Sequence, residues 1–489
     1  MEQFGYITID DGVKFINNGC LNFLNNSIKY TKSQNDNTNI FEISQHGINV
    51  FIEYVANDKL IESINTNVIE LKKINRVNIS EDDKIRLTFL IQFKFKFNLA
   101  DEYIVRFENL FNEKKEYKIS KKYIIKVNEK LNSGLKSIFK PVLNYNLKIN
   151  NSCEFCIFYK DYKEHKGCKS KIIDENRVEK IAVLTFDDIE YLHENNISTI
   201  GQLKDNISFL KDETEGFKDR KSDVKKWISD DEDIVLYDKF YLKWSDHDKE
   251  VAYSVTFQGH AETDVVYAFA FSKMYSNDDI KGIVTLDQKP NSKEQVLNHY
   301  KAIVEEINNV INKEKKKQKD VIFYTLAPYE RKNFEKIIET ILEYQFYYEE
   351  DFRKIVLLTA EYFGMPYYCQ NDFIKHINPF VDTWIDIKDM IEKYLYLAID
   401  IKYSFLDVYN KLYKVRLNKS NSHDFSWALR PDYINQFWDK QIEKAQLEQQ
   451  LLIKLSNADK LQRALLDLLK NRNKIIYPNK RIFVIIIAF

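Results

Sequence analysis

Only 11 glycines and 7 prolines punctuate a chain of 489 residues, together roughly 4% where about 12% is usual. Tight turns lean on glycine for positive φ and on proline for a preset φ. A sandwich or barrel built throughout from such turns is therefore disfavoured, and a helix-rich chain with some sheet is expected. The length suggests about three domains. Hydrophobic residues at 44%, with 14% aromatics, place the chain among folded proteins rather than disordered ones. Lys and Arg total 73 against 74 Asp and Glu, a formal charge of −1. No global basic field exists, so any polyanion contact must be local.

The start, MEQFGYITIDDGVKF, has no basic stretch followed by an apolar one, so no secretory signal is read and a cytoplasmic protein is expected. The longest apolar run, Ile482 to Phe489, falls far short of the roughly 20 residues that a membrane-crossing helix needs. No membrane association is expected. That tail, IFVIIIAF, must be buried, covered by a partner, or continued by further chain, because exposed it would aggregate.

Four stretches follow from the patterning. Residues 1–172 are mostly strand-like: INVFIEYV, NVIELKK, and FLIQFKFKF with Phe93, Phe95 and Phe97 alternating against Lys94 and Lys96. Nine lysines against two glutamates lie between Lys114 and Lys140, either a solvated face or a phosphate-holding one. Residues 173–230 carry FDDIEYLHENNISTIGQLKD, a helix–turn–helix rhythm read as a small DNA-backbone clamp or as plain packing, the commoner use of short helical pairs. Residues 231–430 alternate strands (FYLKW, VAYSVTFQ, VVYAFAF, DVIFYTL) with helices, an amphipathic one over 293–312 among them, which argues for an α/β domain; Asn312 to Asp320 reads as an exposed loop. Residues 431–489 form a long helix or helical hairpin, with Leu447, Leu451, Leu455, Ala458, Leu461 or Gln462, Leu465 and Leu469 at three- and four-residue spacing. This stripe packs on its own domain or on a partner.

The most specific signal is Cys153-x2-Cys156-x11-Cys168, since a two-residue gap lets two thiolates point at one ion. Cys20, far upstream, is the natural fourth ligand. Four thiolates suit a four-iron, four-sulfur cluster or structural zinc, stapling the two ends of the first domain. Two alternatives stand beside this one. Cys153, Cys156, His165 and Cys168 would make a Cys3His zinc knuckle, and the cysteines would otherwise be buried thiols. Cys369 stands alone and reads as a core thiol.

On a strand, residues i and i+2 share a face, so VIELKK sends Glu70 and Lys72 to the same side. A carboxylate there binds Mg²⁺ or Mn²⁺, while the lysine orients or deprotonates the attacking water of a phosphodiesterase. Cross-strand charge pairing explains the same pattern. The preceding strand should add a second ligand on the same side, Glu53 as a charged one or Asn49 as a neutral one.

Cys20, a G-x-N strand, VIELKK and CEFC…C together resemble the RecB-type PD-(D/E)xK nuclease family in its iron–sulfur branch. The following IAVLTFDDIEYLHENNISTIGQL, and then VIFYTLAPYERKNFEKII, IDIKDMIEKYLYLAIDIKYSFLDVYNKL and LRPDYINQFWDKQ, are similar to bacterial fusions of such a nuclease with an RNase H-like, DnaQ-type domain and a helicase. The resemblance spans roughly residues 10–450 and implies a restriction-endonuclease-like first domain, an RNase H-like second domain and long C-terminal helices. It also implies a DNA nuclease with Glu53, Glu70 and Lys72 at its metal site, Cys20, Cys153, Cys156 and Cys168 around a 4Fe–4S cluster, DNA as single strands or duplex ends, and a helicase partner. The sequence departs from that pattern in three places. No Asp lies between Asn37 and Asn57, where the family has one before E-x-K; VAYSVTFQ carries no acid, where an active DnaQ-type domain has D-x-E; and no G-x4-G-K-[ST] loop is present, so no helicase motor lies in this chain. The expected function is thus a metal-dependent DNA nuclease, or a silent nuclease-like module kept for nucleic-acid binding or scaffolding.

Overall fold

The computed structural model describes residues 3–18, 29–31, 43–45, 48–53, 61–95, 98–138, 149, 153, 159, 161, 166–210, 220–229, 234–236, 249–274, 280–364, 383–413 and 432–471. The architecture is mixed α/β and divides into two compact units. One comprises Met1–Thr214, Asp219–Glu232 and Ala398–Lys402; the other comprises Glu215–Lys218, Asp233–Leu397 and Tyr403–Phe489.

The first unit holds two four-stranded mixed sheets. Strands β1 (Gln3–Thr8), β2 (Lys29–Thr31), β3 (Ile43–Gln45) and β4 (Ile48–Glu53) run in the order β2-β1-β4-β3, with β1 and β4 parallel. The second sheet joins β5 (Ile61–Asn65), β6 (Val68–Leu71), β7 (Glu102–Glu108) and β8 (Lys114–Ser120) in sequence order, its central pair β6 and β7 parallel. Strict alternation in β7 buries Tyr103, Val105 and Phe107, which pack with Ile69, Leu71, Ile119 and Ile124. Helices α1 (Ile9–Asn18), α2 (Glu81–Phe95) and α3 (Lys121–Ile138) pack on one another.

Helix α2 corrects the strand expected over FLIQFKFKF. Residues 85, 87, 88, 89, 90, 91 and 92 are all buried, and a segment hidden on every side loses the period that separates helix from strand. Its start is marked locally: the Asp83 amide donates to Ser80 Oγ (3.2 Å) while the Ser80 amide donates back to Asp83 Oδ2 (3.1 Å), a reciprocal cap.

The helix–turn–helix rhythm is realised as α5 (Phe186–Glu194) and α6 (Ile200–Asp205), downstream of α4 (Cys168–Asp174). Thr185 with Asp188, and Thr199 with Gln202, form capping boxes at the two starts. Asn196 takes the left-handed conformation (φ 60°) that ends α5, and the Ile197 amide returns to the Leu192 carbonyl (2.9 Å). Ile189, Leu192, Ile197, Ile200 and Leu203 form the core of this piece with Val178, Ile181 and Val224 of α7 (Arg220–Ser229).

The second unit is built on a five-stranded sheet of β10 (Glu250–His260), β11 (Val265–Lys273), β12 (Lys281–Thr285), β13 (Asp320–Thr325) and β14 (Trp384–Asp386), in the order β12-β11-β10-β13-β14. The first three are antiparallel, and β10, β13 and β14 are parallel. Eight consecutive residues of β10, from Val251 to Gln258, are buried, the mark of a strand covered on both faces. Gly282 is required on β12: a Cβ there would lie 2.3 Å from the ring of its cross-strand partner Phe271. Short strands β9 (Ile234–Leu236) and β15 (Leu395–Leu397) pair separately.

Helices α8 (Lys293–Lys315), α9 (Pro328–Glu343), α10 (Glu350–Tyr362), α11 (Ile387–Tyr394), α12 (Phe405–Tyr413), α13 (Asp432–Trp438) and α14 (Lys444–Asn471) complete the unit. The stretch from Asn312 to Asp320 is not wholly an exposed loop: α8 runs on to Lys315, and Glu314 is fully buried, accepting from Tyr253 Oη (2.9 Å) and paired with Lys273 and Lys317. The stripe Leu447, Leu451, Leu455, Ala458, Leu461 and Leu465 is buried, and Ser254 of β10 donates to the Leu455 carbonyl (3.0 Å), so α14 packs on its own sheet. Among the described residues no helix is long and apolar enough to cross a membrane. The IFVIIIAF tail, FYLKW and Cys369 lie outside the described residues.

Candidate functional site

Glu70 sits in mid-β6, opposite Arg106 of β7, which is itself opposite Glu116 of β8. The register lays three charges across the solvent face of the sheet. Arg106 Nε donates to Glu116 (2.7 Å), and its Nη1 lies 3.6 Å from Glu70 Oε1. All three side chains are 40–57% exposed, so water screens each contact and it adds little to stability. The arrangement matters for charge rather than stability: the cation next to the Glu70 carboxylate is supplied by the protein. Lys72, one residue beyond β6, is exposed, and so is Lys73, whose Nζ lies 3.2 Å from Glu108 of β7.

Glu53 and Asn49 fall on β4, which belongs to the other sheet and pairs with β1 and β3. Strands β4 and β6 are therefore not neighbours, and the expectation of two ligand-bearing adjacent strands is corrected. Consecutive strands pair only about two-thirds of the time, and here β5 is the strand that pairs with β6 from the upstream side.

The lysine-rich stretch becomes β8 and α3. Lys121 and Lys122 occupy the first turn of α3, with Lys126 one turn on; Lys122 and Lys126 are exposed, and between them Ile125 is 41% exposed. Lysines at a helix N-terminus oppose the macrodipole and cost the helix some stability. Together with the dipole they concentrate positive potential at one place, which is what a phosphate needs. Lys118 pairs with Glu102 (2.9 Å), and Lys130 donates to the Ile16 carbonyl (2.5 Å). Lys140 lies outside the described residues.

Of the proposed thiolates, Cys168 is buried at the start of α4 beside Ile149, Ile172 and Ile401, and Cys153 packs against the same small core. Sequence positions 15 apart are thus brought to one place. Between them, Asp161 accepts from the Gly167 amide (2.7 Å) and from Ser170 Oγ (2.9 Å), and those donors, the amide first, hold its carboxyl below the usual range. Cys20, Cys156 and His165 lie outside the described residues. Among the described residues no group of three or more His, Cys, Asp or Glu side chains is placed to hold a metal ion.

The second unit contains a polar cluster in its interior that the sequence reading did not foresee. Thr256 and Gln258 share one face of β10, just before a bulge in its pairing with β11. Glu330 lies in the first turn of α9, directly after β13, and Asp386 closes β14 and caps α11. The four residues meet at the carboxyl ends of the parallel strands, the edge at which open α/β sheets place their ligands.

Five donors converge on Glu330. The Leu326 and Ala327 amides reach Oε2 (2.8 and 3.2 Å), while Lys454 Nζ (2.9 Å), Gln258 Nε2 (3.4 Å) and the Thr256 hydroxyl reach Oε1. Lys454 projects from α14 and is 4% exposed; it also donates to the Tyr329 phenol oxygen, which accepts from Gln258 as well (3.3 Å). Burial pulls the Lys454 amine down in pKa, against the opposing pull of Glu330 and Asp386. Asp386 accepts from the Asp389 amide through Oδ1 (2.8 Å), but its buried Oδ2 has no partner among the described residues. Burial first, and the Glu330 charge after it, push its carboxyl up to about 7.

Three sequence signals pointed here. Glu330 is the third residue of a helix whose first is Pro328, the position from which a glutamate reaches back to the cap. Asp386 precedes a helical pattern as an N-cap. Lys454 sits three residues after Leu451 and four before Ala458, within the apolar stripe, where a lysine is out of place.

No family model matches the chain, and no curated protein or solved structure matches it.

Proposed function

We propose that this chain is a nuclease-like module that holds the nucleic-acid backbone and does not cut it. The binding half rests on Lys121 and Lys122 at the positive end of α3, with Lys126 behind them and an exposed Ile125 to meet a sugar or base. Placing lysines there works against the helix, so helix stability does not explain them. The non-catalytic half rests on the ladder Glu70–Arg106–Glu116: an acid whose counter-charge is a guanidinium has less need of a divalent ion.

In this reading the first unit is restriction-endonuclease-like. The second is RNase H-like, which the order β12-β11-β10-β13-β14 supports, with antiparallel strands on one side of β10 and parallel ones on the other. Cys20, Cys153, Cys156 and Cys168 would hold a 4Fe–4S cluster, or structural zinc; the shared core around Cys153 and Cys168 fits either. The partners are DNA, as single strands or duplex ends, and a helicase, in the cytoplasm. Cleavage is the second reading, suggested by an exposed Lys72 two residues after Glu70; there Glu70 would hold Mg²⁺ or Mn²⁺ and Lys72 would assist the water.

One experiment separates the two. Purified chain is incubated with labelled single- and double-stranded DNA and Mn²⁺, and both retardation and digestion are scored for wild type, E70A and K72A. Retardation without digestion is expected in all three. Digestion by wild type that disappears in both variants would replace the binding reading with the catalytic one.

A further inference from the structure

We infer that the Lys454 ammonium is the resident cation of the strand edge in the second unit, occupying the place of a bound metal ion, so that α14 itself supplies the charge that this edge requires. The inference goes beyond nucleic-acid binding and does not depend on it.

Consider the donor set without the lysine. Two carboxylates (Glu330, Asp386), a hydroxyl (Thr256), a carboxamide (Gln258) and a phenol (Tyr329) cluster in the interior at the carboxyl ends of β10, β13 and β14, with Glu330 and Tyr329 in contact with the lysine. The carboxylates, the hydroxyl and the phenol present oxygens, the ligand type of hard cations such as Mg²⁺ and Mn²⁺, while Gln258 turns its Nε2 donor toward them. Two acids would be balanced by a divalent ion. The structure instead brings a monovalent ammonium to that position, 2.9 Å from Glu330, with the Tyr329 oxygen as a second acceptor.

The charge count agrees with a single positive charge. One ammonium balances one carboxylate, and Glu330 takes it. Asp386 is left over, with a buried oxygen that has no partner among the described residues, and burial raises its pKa in spite of the opposing charge of Lys388. The neutral side chains on β10 fit the same count: two more acids at Thr256 and Gln258 would demand two more positive charges. A divalent ion added beside Lys454 does not fit, because it would meet the ammonium at contact distance.

The test is the thermal melting of the full chain in EDTA and in millimolar Mn²⁺. Wild type is expected to melt at the same temperature in both. K454A removes the built-in charge and opens space among the oxygens. It is expected to melt lower in EDTA and to regain about 3 °C or more in Mn²⁺, and E330Q/K454A is expected to lose that response. If K454A is unfolded in EDTA, refolding in Mn²⁺ gives the same readout: recovery that requires Glu330 supports the inference. Two results overturn it: Mn²⁺ stabilising wild type but not E330Q, or K454A showing neither a Mn²⁺ shift nor Mn²⁺-dependent refolding.

Discussion

The ammonium of Lys454 lies 2.9 Å from Oε1 of Glu330, with the two side chains 4% and 0% exposed. A pair so far from water gains much of its attraction back only because its other hydrogen-bonding capacity is met, here by Tyr329, Thr256, Gln258 and two backbone amides. Breaking it from one side strands a charge. K454M and E330Q should each cost about 3–5 kcal/mol, whereas E330Q/K454M should recover most of that loss. Urea denaturation of the four proteins closes the cycle, and additive losses in the double variant would show that the two side chains do not act as a pair.

Asp386 should make the second unit less stable as pH rises. Its folded pKa, about 7, stands above the ordinary carboxylate value of 3.8. The folded state therefore keeps its proton longer than the unfolded one. The contribution is fully present below the ordinary carboxylate value and is lost as pH climbs through about 7. The Asp389 amide and, more weakly, Lys388 oppose the rise, while the carboxylates of Glu330 and Asp389 add to it. D386N should be the more stable protein at pH 8, by a few kcal/mol on the order of magnitude of such shifts, and the difference should vanish toward pH 4. Chemical denaturation at the two pH values measures it.

His299 of α8 works in the opposite sense. Burial lowers its pKa from 6.5 to about 4, against weaker opposing contributions from Asp287 and the backbone of Val266 and Tyr267. Neutral in the fold, it contributes stability that is present above 6.5 and lost as pH falls through about 4. Between those values the slopes from His299 and Asp386 oppose each other. H299Q should leave a protein whose stability falls as pH rises across this window, and D386N one whose stability rises. Melting temperatures from pH 4 to 7 read both slopes, and identical profiles for the two variants would refute the assignment.

The sequence carried the strands well and the interior poorly. Alternation or continuous β-branched runs marked β4, β6, β10, β11 and β13, and the leucine stripe marked α14. Helix α2 escaped because burial on all sides from Leu87 to Gln92 erases the helical period. The pairing of β4 with β1 rather than β6 joins residues far apart in sequence, and nothing local to Glu53 or Glu70 encodes it. Lys454 and Glu330 lie 124 positions apart. Each carried a local anomaly, a lysine in an apolar stripe and a glutamate in a capping position, but only the folded chain reveals that the two explain each other.

The most direct test of the binding account is the salt dependence of DNA affinity, followed by fluorescence anisotropy, for wild type and K121Q/K122Q/K126Q. If these lysines hold phosphates, the triple variant should bind more weakly, and its slope of log affinity against log salt should be shallower by about 2–3, the counter-ions of three contacts. Equal affinity and equal slope in the two proteins would contradict the account.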